Sequence, residues 1–223
     1  RPLALQSAAR RLSTPGRRVV LLHGLWMPGA SMHWLSLQLR SAGFAPEIFS
    51  YRSVADGPER AVPRLASLLQ AEGEADLVAH SLGGLIALQA LCDVPRLPVA
   101  RVVCLGSPPN GSGAAAGMMR WAAASTLLGR SARLLRDGLR PDGGHCWEGR
   151  ARVGVVAGCV PHGLGALYAG FHGDHDGTVA VDETRFEGVA DHVVVEASHM
   201  GLLFSDEAAR QAVSFLGTGA FAH

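Results

Sequence analysis

The feature that most constrains this chain is a recurrence of short apolar runs, each closed by glycine, serine or histidine and mostly followed by residues at helical spacing. The runs lie at 17–24, 47–52, 76–81, 99–106, 152–157 and 192–197. Val19-Val20-Leu21-Leu22 and Leu77-Val78-Ala79 lack the polar alternation of a half-exposed strand, as expected of strands buried on both faces. Between the runs come helical faces: Met32, Leu35 and Leu39 behind a capping Ser31 and ahead of Gly43, then Val62, Leu65 and Leu69 between Asp56-Gly57-Pro58 and Gly73. A last helix opens at Ser205-Asp206-Glu207 and is expected to end at Gly217. Strands alternating with helices pair in parallel, and right-handed crossovers place helices on both faces. The expected fold is α/β, a doubly wound, mainly parallel sheet of about six strands, in one domain over residues 1–223.

A chain of 223 residues can bury the core of such a domain without a metal or a disulfide. Its 20 Lys+Arg against 19 Asp+Glu exert no global pull on nucleic acid. Every basic residue is arginine, which points to a coding bias and lowers the meaning of any one arginine. Cys92, Cys104, Cys146 and Cys159 show no C-x-x-C spacing, and Cys92 and Cys104 read as small buried residues. No run approaches the roughly 18 apolar residues of a membrane span. Arg1 to Arg18 lacks the apolar core of a secretory signal, so a cytoplasmic location is expected; because residue 1 is not Met, an exported protein stays open.

The third run, Asp76-Leu77-Val78-Ala79-His80-Ser81-Leu82-Gly83-Gly84, reads as strand, sharp turn, helix, with Ala79 and Gly83 as the small residues that let a serine be presented at the turn. In open parallel sheets ligands sit at the carboxyl ends of the strands. There the sequence places His23-Gly24-Leu25, then Ser81, then Gly173-Asp174-His175-Asp176-Gly177-Thr178-Val179, then Ser198-His199-Met200-Gly201. Serine, acid and histidine thus follow in order. A serine needs a base, and that base needs an acid to fix its tautomer.

On these motifs, with Trp26 after His23-Gly24-Leu25, the chain resembles the α/β-hydrolase family, especially its small bacterial lipases and esterases, over roughly residues 17–217. The resemblance implies Ser81 as nucleophile, His199 as base, Asp176 as orienting acid, and the backbone N–H groups of Leu25 and Leu82 as an oxyanion hole, with no cofactor. Asp174 competes for the acid role; Asp176 is preferred because it precedes Gly177 in the family's Asp-Gly-x-Val pattern. Residues 1–16 are too few for the antiparallel pair that often opens the family's sheet, so a pared-down sheet is expected.

The implied activity is cleavage of carboxylic esters, of acyl or lipid type, through an acyl-enzyme. Thioester hydrolysis, acyl transfer, perhydrolysis or amide cleavage by the same triad are alternatives, as is a non-catalytic binding protein on the same fold. Residues 112–140 read as a helical pair broken near Gly129 and inserted as a cap. Trp26, Met118, Met119, Trp121 and Met200 are candidate pocket residues. Arg120, Arg130, Arg133, Arg136 and Arg140 give that segment a solvated basic face, or a contact with anionic lipid head groups. His172, Asp174, His175 and Asp176 could ligate a metal, but no H-x-x-x-H spacing supports it, and no metal is assigned. His23 and His80 read as histidines that bond the nearby backbone. Gly111-x-Gly113-x-x-x-Gly117 is one residue too long for a dinucleotide turn. The partner is a small-molecule substrate, and oligomeric state stays open.

Overall fold

The computed structural model describes residues 16–121, 124–139, 151–163, 170–171 and 173–223. Strands β1 (Arg18–Leu22), β2 (Ala45–Phe49), β3 (Ala75–His80), β4 (Val99–Leu105), β5 (Arg152–Gly158) and β6 (Asp191–Val195) form one sheet in the order β2-β1-β3-β4-β5-β6. Every neighbouring pair is parallel. The doubly wound reading therefore holds.

The chain crosses between strands through helices α1 (His33–Ser41), α2 (Gly57–Glu72) and α3 (Leu82–Asp93), and closes with α7 (Asp206–Thr218). Because successive strand residues point to opposite faces, β1 sends Val20 and Leu22 to one side and Val19 and Leu21 to the other. The first side packs on Leu65 and Leu69 of α2 and Leu85 and Ile86 of α3. The second packs on Leu35 and Leu39 of α1 and Ala208, Ala212 and Phe215 of α7. Each fully buried Val, Leu or Phe side chain contributes about 1.5–3 kcal/mol relative to exposure, and these two layers keep the carboxyl edge of the sheet in place.

Several boundaries differ from expectation. Ser31 does not cap α1: it lies in a 3-10 turn, Gly29–Met32, and its hydroxyl donates to the Pro28 carbonyl at 2.7 Å. Ser205 does cap α7, accepting from the Ala208 N–H at 3.1 Å, but the helix runs on to Thr218 and is closed by left-handed Gly219 rather than Gly217. Strand β2 starts at Ala45 and includes Pro46, which is tolerated because β2 is an edge strand bonded only to β1. Strand β6 stops at Val195, where the Ala197 N–H turns back to the Val195 carbonyl at 2.8 Å.

Between β4 and β5 the described residues form three short helices in place of the expected helical pair, α4 (Gly113–Met118), α5 (Ala124–Leu128) and α6 (Ala132–Asp137), with a 3-10 turn at Gly129–Ser131. The break falls at Gly129 because its φ is +58° and a Cβ there would meet the Val54 carbonyl oxygen at 2.3 Å. Cys104 is buried and free, whereas Cys92, expected to be a small buried residue, is disulfide-bonded. Arg140, Cys146 and His172 lie outside the described residues. Among those described, no helix is long and apolar enough to cross a membrane.

Candidate active site

Strand β3, buried along its whole length, delivers the chain to Ser81, which adopts φ +52° and ψ −119° before α3 begins at Leu82. A non-glycine residue in the left-handed half of the map is strained by about 1–3 kcal/mol. The strain persists because α3 sits close against the sheet. A Cβ on Gly83 would stand 2.7 Å from the carbonyl oxygens of Leu22 and His23, and one on Gly84 2.1 Å from Ser107 Oγ. Only glycine lets the helix approach so far, and that approach forces the sharp turn.

The Ser81 hydroxyl lies 3.0 Å from His199 Nε2, and His199 Nδ1 lies 2.7 Å from Asp176 Oδ2. An ionised carboxylate only accepts, so Nδ1 carries the ring proton and Nε2 is left to accept from Ser81. Asp176 is almost wholly buried. Its other oxygen accepts from the Thr178 and Val179 N–H groups at 2.9 and 2.7 Å, and its carbonyl accepts from the His199 N–H at 2.9 Å. Asp176 thus holds His199 by main chain and side chain together. Asp174 is exposed, and its carbonyl accepts from the Val181 N–H. His175 stacks on Phe171 at 4.2 Å, and its Nδ1 accepts from the Gly177 N–H at 3.1 Å. No group of three potential metal ligands occurs among the described residues.

The turn after β1 is fixed from below. Tyr51 donates its hydroxyl to the His23 carbonyl at 2.6 Å and its N–H to His23 Nε2 at 3.3 Å, with the two rings stacked at 4.3 Å. His23 Nδ1–H therefore donates to the Gly24 carbonyl at 2.9 Å. Burial lowers the His23 pKa and raises that of the Tyr51 hydroxyl, so both stay neutral at physiological pH. Trp26, at φ +59°, donates its N–H to Ser53 Oγ at 3.1 Å and its indole Nε1–H to the Leu127 carbonyl at 2.7 Å. Leu25 is thereby held between two anchored residues. The Leu82 N–H is among the first four of α3, which have no intrahelical acceptor.

These groups border a cavity of about 730 Å³ walled by Leu25, Trp26, Met118, Leu127, Leu135, Val179 and Met200. Of the candidate pocket residues, Trp26, Met118 and Met200 are in this wall. Met119 is not in the wall and packs, partly buried, against the core. Trp121 is not among the lining residues and is 68% exposed. No Arg, Asp or Glu side chain lines the cavity among the described residues.

Sequence reasoning missed three residues of this site. Tyr51 and Ser53 follow an edge strand and carry no motif. Gly106, at φ +59°, packs on the Asp176–His199 contact so closely that a Cβ would lie 3.2 Å from both Oδ2 and Nδ1. The one local signal was that Gly106 ends an apolar run.

Residues 19–213 match the alpha/beta hydrolase family. No curated protein matches the chain by sequence. Among solved structures, a lipase of Bacillus licheniformis in its mature form superposes with a TM-score of 0.73 at 19% identity, covering 92% of each chain. An esterase from Exiguobacterium antarcticum gives 0.64 at 18% identity over 92% of this chain and 93% of that one. A bromoperoxidase from Bacillus anthracis gives 0.64 at 16% identity over 91% and 92%. At such identities the likeness is one of fold.

Proposed function

The chain belongs to the alpha/beta hydrolase family, and from that premise we propose that it is a serine hydrolase of carboxylic esters with apolar acyl groups. The observation that carries this reading is the continuous path from Asp176 through His199 to Ser81 at 2.7 and 3.0 Å, opening on a cavity whose described lining is mainly apolar.

In this reading Ser81 Oγ attacks the ester carbonyl carbon while His199 Nε2 takes the hydroxyl proton. Asp176 keeps the ring in the tautomer that can accept it and offsets the charge of the imidazolium. The carbonyl oxygen becomes an oxyanion held by the N–H groups of Leu25 and Leu82. His199 then gives its proton to the leaving alcohol, leaving an acyl-Ser81 ester. Water enters, loses a proton to Nε2 and attacks the acyl carbon; the proton returns to Ser81 as the acid departs.

The wall of the cavity bears on the substrate. With no arginine, aspartate or glutamate among the described residues that line the cavity, neutral esters are favoured over thioesters of charged carriers. We read residues 112–140 as a cap, since Met118, Leu127, Leu128 and Leu135 of that segment form one side of the cavity. Contact of its arginines with anionic lipid is a further expectation, and binding to anionic liposomes that salt leaves unchanged would count against it.

The test is Ser81→Ala in folded protein, assayed on p-nitrophenyl butyrate. Turnover should fall by at least about 10³-fold, and a fluorophosphonate probe should label the wild type but not the variant. Unchanged turnover in the variant sinks the assignment, and failure of the wild type to react favours a non-catalytic binding protein.

A further inference from the structure

His80 stands next to the nucleophile, and the reaction above gives its side chain nothing to do. Its surroundings suggest otherwise. The ring is 1% exposed. Its Nε2 lies 2.8 Å from the main-chain carbonyl oxygen of His199, 119 residues away in sequence, and the two imidazoles are 4.7 Å apart at 49°. A carbonyl can only accept, so Nε2 carries the hydrogen and Nδ1 is a bare lone pair. That Nδ1 is buried and has no hydrogen-bond partner.

His199 sits on a loop beyond β6, not in regular structure, so its position depends on the bonds its own backbone makes. Its N–H is held by the Asp176 carbonyl at 2.9 Å and its C=O by His80 at 2.8 Å. Residues 80 and 81 therefore grip His199 twice, once at the ring through the Ser81 hydroxyl and once at the main chain through the His80 ring. We propose that His80 is a positioning residue: its Nε2–H clamps the His199 carbonyl and so sets the distance from the His199 ring to the Ser81 hydroxyl. This rests on the functional reading above.

The clamp needs a hydrogen on Nε2, and with Nδ1 buried and unpartnered the ring that supplies it is the neutral Nε2–H form. Burial, and then the neighbouring His199, lower its pKa to about 3, with Asp176 and His23 the other titratable groups facing it. A donor that never titrates near neutrality holds its partner alike before and after His199 takes a proton.

A purely space-filling histidine predicts something different. Phenylalanine has the same ring shape and lacks the unpaired Nδ1, so His80→Phe would be neutral or stabilising, with full activity, if packing were the role. The clamp predicts that His80→Phe lowers kcat for p-nitrophenyl butyrate about 10- to 100-fold with KM within about twofold, because a shift of about 1 Å at a reacting group has that scale of effect. His80→Gln, whose amide nitrogen reaches nearly as far as Nε2, should recover kcat to within about threefold of wild type. A folded His80→Phe with wild-type kcat, or a folded His80→Gln as slow as His80→Phe, overturns the proposal. If neither variant folds, nitrogen NMR of the wild type decides: His80 must carry a hydrogen on Nε2 from pH 5 to pH 8, and an Nδ1–H ring with a bare Nε2 overturns it. The NMR result does not depend on turnover, so it separates failure of the clamp from failure of the hydrolase reading, which Ser81→Ala tests.

Discussion

Two regions meet at the cavity and are built in opposite ways. The carboxyl edge of the sheet holds two of its polar residues with redundant bonds: Asp176 accepts from three main-chain N–H groups and from the His199 ring, and His23 is bonded at both ring nitrogens and at its carbonyl. The facing wall, in its described residues, is three helices of five or six residues, short enough that none is stable alone. That wall is fastened to the body near its turn at Gly129–Ser131. The Arg130 N–H donates to the Val54 carbonyl at 3.1 Å, Ser131 Oγ to the Ser53 carbonyl at 2.5 Å, and the Trp26 indole to Leu127. The lesson is a division of labour, in which Asp176 and His23 are over-determined, while the short helices facing them are tied to the body through Leu127, Arg130 and Ser131 and, at the start of α4, through the Gly113 N–H donating to Glu183 Oε1 at 2.6 Å.

The largest effect that could break this contrast is on the fixed side. Asp176→Asn keeps the shape but lets the amide fix the wrong His199 tautomer, and kcat should fall about 10⁴-fold with a small change in KM; a loss under tenfold would mean the carboxylate is not the orienting group. Next is Gly106→Ala. Its left-handed backbone and the 3.2 Å approach to Oδ2 and Nδ1 should together cost about 1–3 kcal/mol of stability and lower kcat at least tenfold, read by urea unfolding and steady-state kinetics. A variant as stable and active as wild type would show that this edge has slack.

The third prediction concerns pH. In the unfolded chain His80 binds a proton near its ordinary 6.5, whereas in the folded chain it does so only near 3. Between those values the unfolded state holds more protons, so stability is present above pH 6.5 and is lost as pH falls, at about 1.4 kcal/mol per pH unit from this residue. His23 acts in the same direction. The urea midpoint should drop from pH 7 to pH 4 and do so less steeply in His80→Phe; parallel slopes would remove His80 from the account. The smallest effect belongs to the wall. Trp26→Phe deletes an exposed hydrogen bond and should change stability by less than about 1 kcal/mol, shifting KM across acyl-chain lengths while kcat stays within about threefold. If kcat instead fell as it does in Gly106→Ala, wall and edge would be one unit.

Much of the edge was legible in the sequence because strand ends are legible. Ser81 directly follows β3 and His199 lies just past β6 in a chain whose alternation dictates a parallel sheet, so topology brings these two to one side, whereas Asp176 lies far along the connection after β5 and was legible only through its Asp-Gly-x-Val pattern. What stayed hidden was set by distant contacts. Ser31 looks like a cap, yet Pro28 begins a 3-10 turn ahead of it and the hydroxyl donates rather than accepts. Pro46 argues against a strand until β2 is known to lie at the edge. The wall was misread as a helical pair because its leucines have helical spacing, while the contact of Gly129 with Val54 that breaks it is tertiary. Nor could the disulfide at Cys92 be read from cysteines without paired spacing.

The glycine pair at the start of α3 has a consequence for how such a site can change over generations. Gly83 rests against the backbone of β1 and Gly84 against Ser107, so the helix sits at a mechanical stop. On the Gly83 side the height of the Ser81 hydroxyl above the sheet is gauged by main-chain thickness, a dimension no side-chain substitution in the strands alters. Residues elsewhere can drift in size without moving that reference plane, and loops can lengthen or shorten around it. A lineage holding these two glycines is free to re-tool the cavity while the Ser81 hydroxyl stays at its original elevation.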